Sequence, residues 1–214
     1  RWVARSSAAP AEEPSPPRAV PEEAREARIA RMDWPQLEAE VARCTACELH
    51  RGRTKPVFGV GDRHAALMLI GEAPGAEEDR TGEPFVGRAG QLLNAMLQAI
   101  GLRREQVYIA NILKSRPPKN RDPRPEEVAA CAPFLRRQIE LVSPRLILAL
   151  GRVAAQNLLR TEQRLGALRG RTHRLPDSGV PVIVTYHPAY LLRTPQDKRK
   201  AWQDLQFVVK TLRE

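Results

Sequence analysis

Ala66-Leu67-Met68-Leu69-Ile70 runs without interruption into Gly71-Glu72-Ala73-Pro74-Gly75. A short apolar run suits a strand covered on both faces, and the Gly and Pro that follow turn the chain sharply out of it. Three further runs have the same character: Val107 to Ile112, Arg145 to Leu150 and Val180 to Thr185. Helical periodicity separates them at Ala89 to Ile100, Pro125 to Val142 and Arg152 to Leu159, and returns at Gln196 to Leu212. Strands alternating with helices build a parallel sheet with helices on both faces. The expected fold is therefore α/β, a three-layer αβα sandwich around a central, mainly parallel four-stranded sheet. In open sheets of this kind ligands gather beyond the carboxyl ends of the strands. Gly71-Glu72, Asn111, Gly151 and His187 all fall at such ends, although the pattern leaves the strand order open.

The 214 residues, 42% of them hydrophobic, suit one globular domain, and no apolar run approaches the roughly 18 residues of a membrane span. Residues 1 to 32 are rich in Pro, Ala, Glu and Arg and hold few large apolar groups, which predicts a disordered leader. The folded domain is expected over residues 33 to 214, opening where Asp33 caps a helix with Pro35 in its first turn. The first residue is Arg, so the true start is expected to lie upstream. Nothing at the N-terminus pairs a basic stretch with an apolar segment, and a cytoplasmic location is expected.

The formal net charge is +10. Residues 1 to 33 are balanced in charge, so the surplus belongs to the folded part, concentrated at Arg116 to Arg124, Arg164 to Arg174 and Arg193 to Lys200. Such a field favours a polyanion. No basic amphipathic helix with an aromatic face points to a membrane surface, which leaves nucleic acid as the partner.

Three phrases carry chemistry. Gly71-Glu72-Ala73-Pro74-Gly75, with Gly82, Gly87 and Gly90 beyond it, brings backbone close to a ligand. It matches neither a P-loop nor a dinucleotide fingerprint. Phe85 within it offers a face for a flat base. Asn111 ends the second strand with an amide that pairs with a pyrimidine edge through two hydrogen bonds, and Arg116-Pro117-Pro118-Lys119-Asn120-Arg121-Asp122-Pro123 follows as a stiff basic loop suited to phosphates. The third phrase, His187-Pro188-Ala189-Tyr190-Leu191-Leu192-Arg193, places two leucines where a loop should be polar. Apolar wedges of this kind open base stacks and fill the void left by an extruded base.

In order and approximate spacing, these phrases and the longer run Thr81-Gly82-Glu83-Pro84-Phe85-Val86-Gly87-Arg88-Ala89-Gly90-Gln91-Leu92-Leu93 resemble the family-4 uracil-DNA glycosylases, the iron-sulfur type, over about Cys44 to Leu212. The resemblance implies that Glu72 positions the attacking water and His187 hydrogen-bonds O2 of the base. Phe85 would stack on uracil, Asn111 would read its pairing edge, and Gly71 and Ala73 would complete the pocket. Glu78 would stand near C5 against the methyl group of thymine. Leu191 would fill the gap in the duplex, with Lys114, Arg116 and Arg193 on the DNA backbone. The implied activity is that of a monomer cutting the N-glycosidic bond of uracil in single- or double-stranded DNA. For donation to O2 a neutral His187 is expected, with the tautomer left open.

The cysteines depart from the family pattern. Cys44 and Cys47 form a C-x-x-C pair and Cys131 is the only other thiol, whereas a 4Fe-4S cube takes four. In the family the remaining ligand precedes Arg-Pro-Pro, and here Ser115 stands there. The resemblance implies a 4Fe-4S cluster, degenerate at that position, with Ser115 or solvent on the fourth iron. A three-iron cluster, zinc held with the help of His50, and no metal at all stay open as alternatives. Within the superfamily a catalytically silent DNA-binding protein and a glycosylase for another deaminated base are the rival readings. A covalent trap is disfavoured because Lys114 to Pro125 holds no His. A phosphate-binding nucleotide module would leave Asn111 and the leucines without a purpose.

Overall fold

The computed structural model describes residues 22 to 214. Its elements in chain order are helices α1 (Glu22–Ile29) and α2 (Trp34–Ala42), strands β1 (Val60–Gly61) and β2 (Leu67–Gly71), and helices α3 (Ala76–Thr81) and α4 (Arg88–Ala99). Then come β3 (Tyr108–Asn111), α5 (Pro125–Val142), β4 (Leu146–Leu150), α6 (Arg152–Leu159) and α7 (Leu165–Leu168). The chain closes with β5 (His173–Arg174), β6 (Pro181–Thr185), α8 (Pro188–Arg193) and α9 (Lys198–Arg213). The strands form one six-stranded sheet in the order β1-β3-β2-β4-β6-β5. Its four central strands are parallel and are the four anticipated; β1 and β5 pair antiparallel at the edges. Each edge strand is two residues long, too short for an alternation to show in sequence.

Side-chain alternation along the strands divides the core into two layers. Met68, Ile70, Ala110, Ile147, Ala149, Val182 and Val184 pack with Cys131, Leu135, Ile139 and Ala154 of α5 and α6. Leu67, Leu69, Ile109, Leu148 and Ile183 face the other way, against Leu93, Leu97, Leu191, Leu205 and Val208 of α4, α8 and α9. A substitution that shifted β2 by one residue would exchange the two faces, so the register is fixed by both layers at once.

Residues 22 to 32 correct the expectation of a disordered leader up to residue 32. α1 lies within it, and Ile29 and Met32 are buried with Leu37, Val41, Phe58 and Phe134 in a third apolar cluster. A few apolar residues at helical spacing are enough here because α2 and α5 supply the rest of the cluster. The remainder of the expected leader lies outside the described residues. Asp33 caps α2 as anticipated, accepting from the Gln36 N–H at 3.0 Å while the Gln36 side chain accepts from the Asp33 N–H at 3.1 Å.

Candidate active site

The parallel register brings Gly71 at the end of β2 opposite Asn111 at the end of β3, and Leu150 of β4 opposite Thr185 of β6. Neighbouring strands β2 and β4 send their connections to opposite sides, the switch point at which open α/β sheets bind ligands. A cavity of about 380 Å³ lies there, within the usual range for small-ligand sites. Glu72, Ala73, Glu78, Phe85, Asn111, His187 and Arg193 all line it, so loops separated by over a hundred residues meet as the sequence phrases required. Pro74, Pro117, Asn120, Arg121, Asp122 and Tyr190 of the same phrases line it as well, without an individual role expected for them.

Gly71 makes the inner wall possible. A Cβ there would stand 2.5 Å from Asn111 Oδ1 and 2.6 Å from Phe85 Cζ, so any side chain would collide with those two groups. Asn111 is 2% exposed, and its Oδ1 is buried without a hydrogen-bond partner. An orphaned buried carbonyl costs about 1–3 kcal/mol unless a ligand donates to it. The Phe85 ring lies beside the His187 imidazole, centroids 5.5 Å apart and planes at 32°.

The cavity acts on its two titratable groups in opposite directions. Desolvation, reinforced by Asp122 and opposed by Arg152, raises Glu72 to about 7. Enclosure lowers His187 to about 4, with Arg193 adding to the shift and Glu78 opposing it. His187 is therefore a neutral imidazole at neutral pH, as expected. The Ala189 N–H donates to Nδ1 at 3.1 Å, which settles the tautomer: the ring proton sits on Nε2 and is available to a ligand. The same residue is the N-cap of α8, so one side chain both starts the helix and faces the cavity.

Glu78 lines the cavity, but its carboxylate is already occupied. Oε1 accepts from the Val86 and Gly87 N–H groups at 2.9 and 3.0 Å, and Oε2 from Gly75 at 3.1 Å. It is a fixed wall that also pins the loop carrying Phe85.

Two residues expected on DNA are not at the surface. Lys114 is 2% exposed; Nζ donates to the Asn111 carbonyl at 2.9 Å and to Gln138 Oε1 at 2.6 Å. Burial pushes its ammonium down to about 7, and its work is to brace the Asn111 backbone. Leu191 is 1% exposed because the expected loop is the helix α8, which turns residue 191 into the core beneath α4 and α9. Leu192, one position on and about 100° around the helix, is half-exposed beside the exposed Arg193. Arg116 is half-buried, with Nε donating to Asn120 Oδ1 at 2.7 Å. Of the basic loop, Arg121 pairs with buried Glu127 at 2.5 Å, and Asp122 accepts from Arg152 at 2.7 Å.

Cys131 lies next to Lys114. Cys44 and Cys47 follow α2, and Cys131 is on α5. Burial pushes Cys131 up to about 11; Lys114 opposes that shift, and Cys47 and Cys44 add to it, so the three thiols share one neighbourhood. Ser115 is buried next to Lys114, and its Oγ accepts from Arg53 at 3.1 Å. Among the described residues no three His, Cys, Asp or Glu side chains converge on a single metal-ion position. His50 Nδ1 is bonded to the Cys47 carbonyl at 2.7 Å, which leaves its Nε2 without that bond.

Comparison with known proteins gives a concordant picture. The uracil DNA glycosylase superfamily matches residues 58–206. A type-4 uracil-DNA glycosylase of Archaeoglobus fulgidus is 47% identical over 175 residues, covering 79% of this chain and 88% of that protein. The type-4 enzyme of Thermotoga maritima is 49% identical over 158 residues, 73% of this chain and 82% of the relative. That of Pyrobaculum aerophilum is 43% identical over 180 residues, 81% and 92%.

Proposed function

The chain belongs to the type-4 uracil-DNA glycosylases and is a hydrolase of DNA base excision; we propose that it cuts the N-glycosidic bond of an extruded uracil with Glu72 and His187 as its catalytic pair. The observation that carries this reading is the partnerless Asn111 Oδ1 at the back of a cavity that also holds those two groups. Uracil presents a donor at N3 and an acceptor at O4, which suits a side-chain amide with Oδ1 accepting and Nδ2 donating. Cytosine presents the reverse pattern and would leave the buried carbonyl facing a lone pair.

Breaking the bond leaves positive character on the sugar and negative charge on the base. Glu72 as carboxylate faces the developing oxocarbenium and orients the water that captures it. His187 donates from Nε2 to O2 of the departing anion without first losing a proton. Phe85 stacks on the ring, and Glu78, held by three N–H donors, is a rigid wall against a methyl group at C5. Arg193 and Arg116 meet phosphates, and Leu192 takes the role of wedge in place of Leu191. The enzyme acts as a monomer on single- and double-stranded DNA.

Cys44, Cys47 and Cys131, with Ser115 at the fourth position, would hold an iron-sulfur cluster, whose bound contribution is to cross-link the segment after α2, the Ser115 loop and α5. What supports a cluster is the family to which the chain belongs and the three thiols that influence one another in one neighbourhood. The activity is tested on an oligonucleotide with one uracil, treated with protein and then alkali. Strand scission at the uracil and none at a cytosine in the same position is expected, and an intact strand would refute the assignment.

A further inference from the structure

Arg104 stands in no sequence phrase, yet its guanidinium reaches the loop that carries the stacking ring. It belongs to a short 3₁₀ turn, Arg104–Gln106, just ahead of β3. Nη1 donates to the Phe85 carbonyl at 3.1 Å and Nη2 to the Pro84 carbonyl. On the following side of Phe85, Glu78 Oε1 accepts from the Val86 and Gly87 N–H groups. Two opposite charges therefore grip consecutive peptide groups, one by its carbonyls and the other by its N–H groups.

The residue between them needs holding. Phe85 has φ of +54°, in the left-handed region that a bulky L-residue avoids. Residues kept there persist only where their surroundings over-determine the backbone, and they gather at functional sites. Gly90 completes the fit: a Cβ on it would stand 1.8 Å from the Phe85 carbonyl oxygen, the atom that Arg104 holds. Desolvation disfavours the guanidinium charge, and Glu83, Glu105 and Glu78 partly oppose it.

We propose that Arg104 is a positioning residue for base recognition: with Glu78 it clamps Phe85 in a left-handed backbone conformation that presents the ring to the base. The proposal rests on the uracil-glycosylase reading. Without the clamp Phe85 relaxes toward negative φ and its ring leaves the wall it shares with His187. What is lost is affinity for the base, while Glu72 and His187 keep their places just beyond β2 and β6.

The experiment compares wild type, R104M, F85A and the double variant F85A/R104M on a uracil oligonucleotide, with free uracil as a competitive probe. Wild type must cut the oligonucleotide, and failure at that step rejects the glycosylase reading rather than the clamp. R104M should weaken free-uracil inhibition about tenfold and lower kcat/KM comparably, the scale of losing one stacked base. The midpoint of the pH profile should stay where Glu72 sets it. In the F85A background R104M should add no more than about twofold, because the ring it serves has gone. Unchanged uracil inhibition in R104M, or full additivity with F85A, overturns the proposal. If R104M does not fold, R104K, which keeps the charge but cannot span both carbonyls, is judged by the same two criteria.

Discussion

The raised Glu72 carboxyl makes the pH profile of the reaction calculable. An ordinary glutamate with the reference value of 4.5 would be fully ionised at neutral pH, whereas this one sits at about 7. In the proposed role it is the carboxylate that orients water and faces the cationic sugar, so log(kcat/KM) should rise with unit slope below about pH 7 and level off above it. At pH 6 the ionised fraction, and with it the rate, should be about a tenth of the plateau. His187 at about 4 stays neutral across this range and adds no second limb. The neighbours fix the signs of two further shifts. Asp122→Asn removes a charge that raises Glu72 and should move the midpoint down, while Arg152→Met removes one that lowers it and should move the midpoint up. The assay is single-turnover cleavage of a uracil oligonucleotide across that pH range at constant ionic strength. A midpoint between 4 and 5, or shifts of the opposite sign, would refute the reasoning. Glu72→Gln should flatten the profile and lower the plateau by about 10²–10⁴.

The same shift has a consequence for stability. The folded state holds the Glu72 proton to higher pH than the unfolded chain does, so between 4.5 and about 7 it binds more protons and stability falls as pH rises. Glu72→Gln removes that cost. The group is partly open to solvent, which discounts the effect to on the order of 1 kcal/mol, or about 2–4 °C in Tm. The gain should appear above pH 7 and vanish below 4.5 in thermal unfolding curves, and a Tm equal to wild type at pH 8 would contradict it.

The corrected placements give further tests. Leu191→Ala should cost roughly 2–5 kcal/mol of stability, whereas Leu192→Ala should leave Tm unchanged and weaken cleavage of duplex more than of single strands; denaturation curves beside cleavage on both substrates separate them. Lys114→Met should leave the salt dependence of DNA binding as it is, because the side chain is buried, while Arg193→Ala should reduce the slope by about one; fluorescence anisotropy over a salt series reads both. Ser115→Cys supplies the fourth thiolate and should raise iron retained per chain and the visible absorption of anaerobically purified protein. Equal iron and colour in both proteins would count against a cluster bound at that corner.

The parts of the molecule read from sequence share a local signal. β2, β3, β4 and β6 were legible because each is a buried run between helices, and α5 and α6 because apolar periodicity runs along their length. Glu72, Asn111 and His187 were legible because a parallel sheet sends the residues after its strands to one rim. α8 was not, since six residues do not complete two helical turns and Pro188 reads equally well as a turn. Its hidden helicity is what reversed Leu191. Lys114 failed for another reason: its partner Gln138 lies 24 residues away on α5, and a buried ammonium cannot be inferred before its acceptors are known. The left-handed Phe85 and its Arg104 anchor were equally beyond reach, because backbone strain at a non-glycine residue leaves no mark in composition.

A single physical condition makes this cavity both costly and reactive. Shielding from water disfavours charge on either titratable group, raising the carboxyl of Glu72 and lowering the imidazole of His187. In the free protein both shifts oppose ionisation. In the proposed reaction, however, a cation grows beside Glu72 and an anion beside the His187 Nε2 proton as the glycosidic bond lengthens. A carboxylate poorly served by solvent gains more from that cation than a hydrated one would, and the neutral donor meets the base anion without competing water. The desolvation that penalises Glu72 in the resting state is therefore returned in the transition state. A variant that let water in, by loosening the Phe85 wall or opening the Asp122 to Arg152 pair, should relax the Glu72 shift and slow the chemical step together.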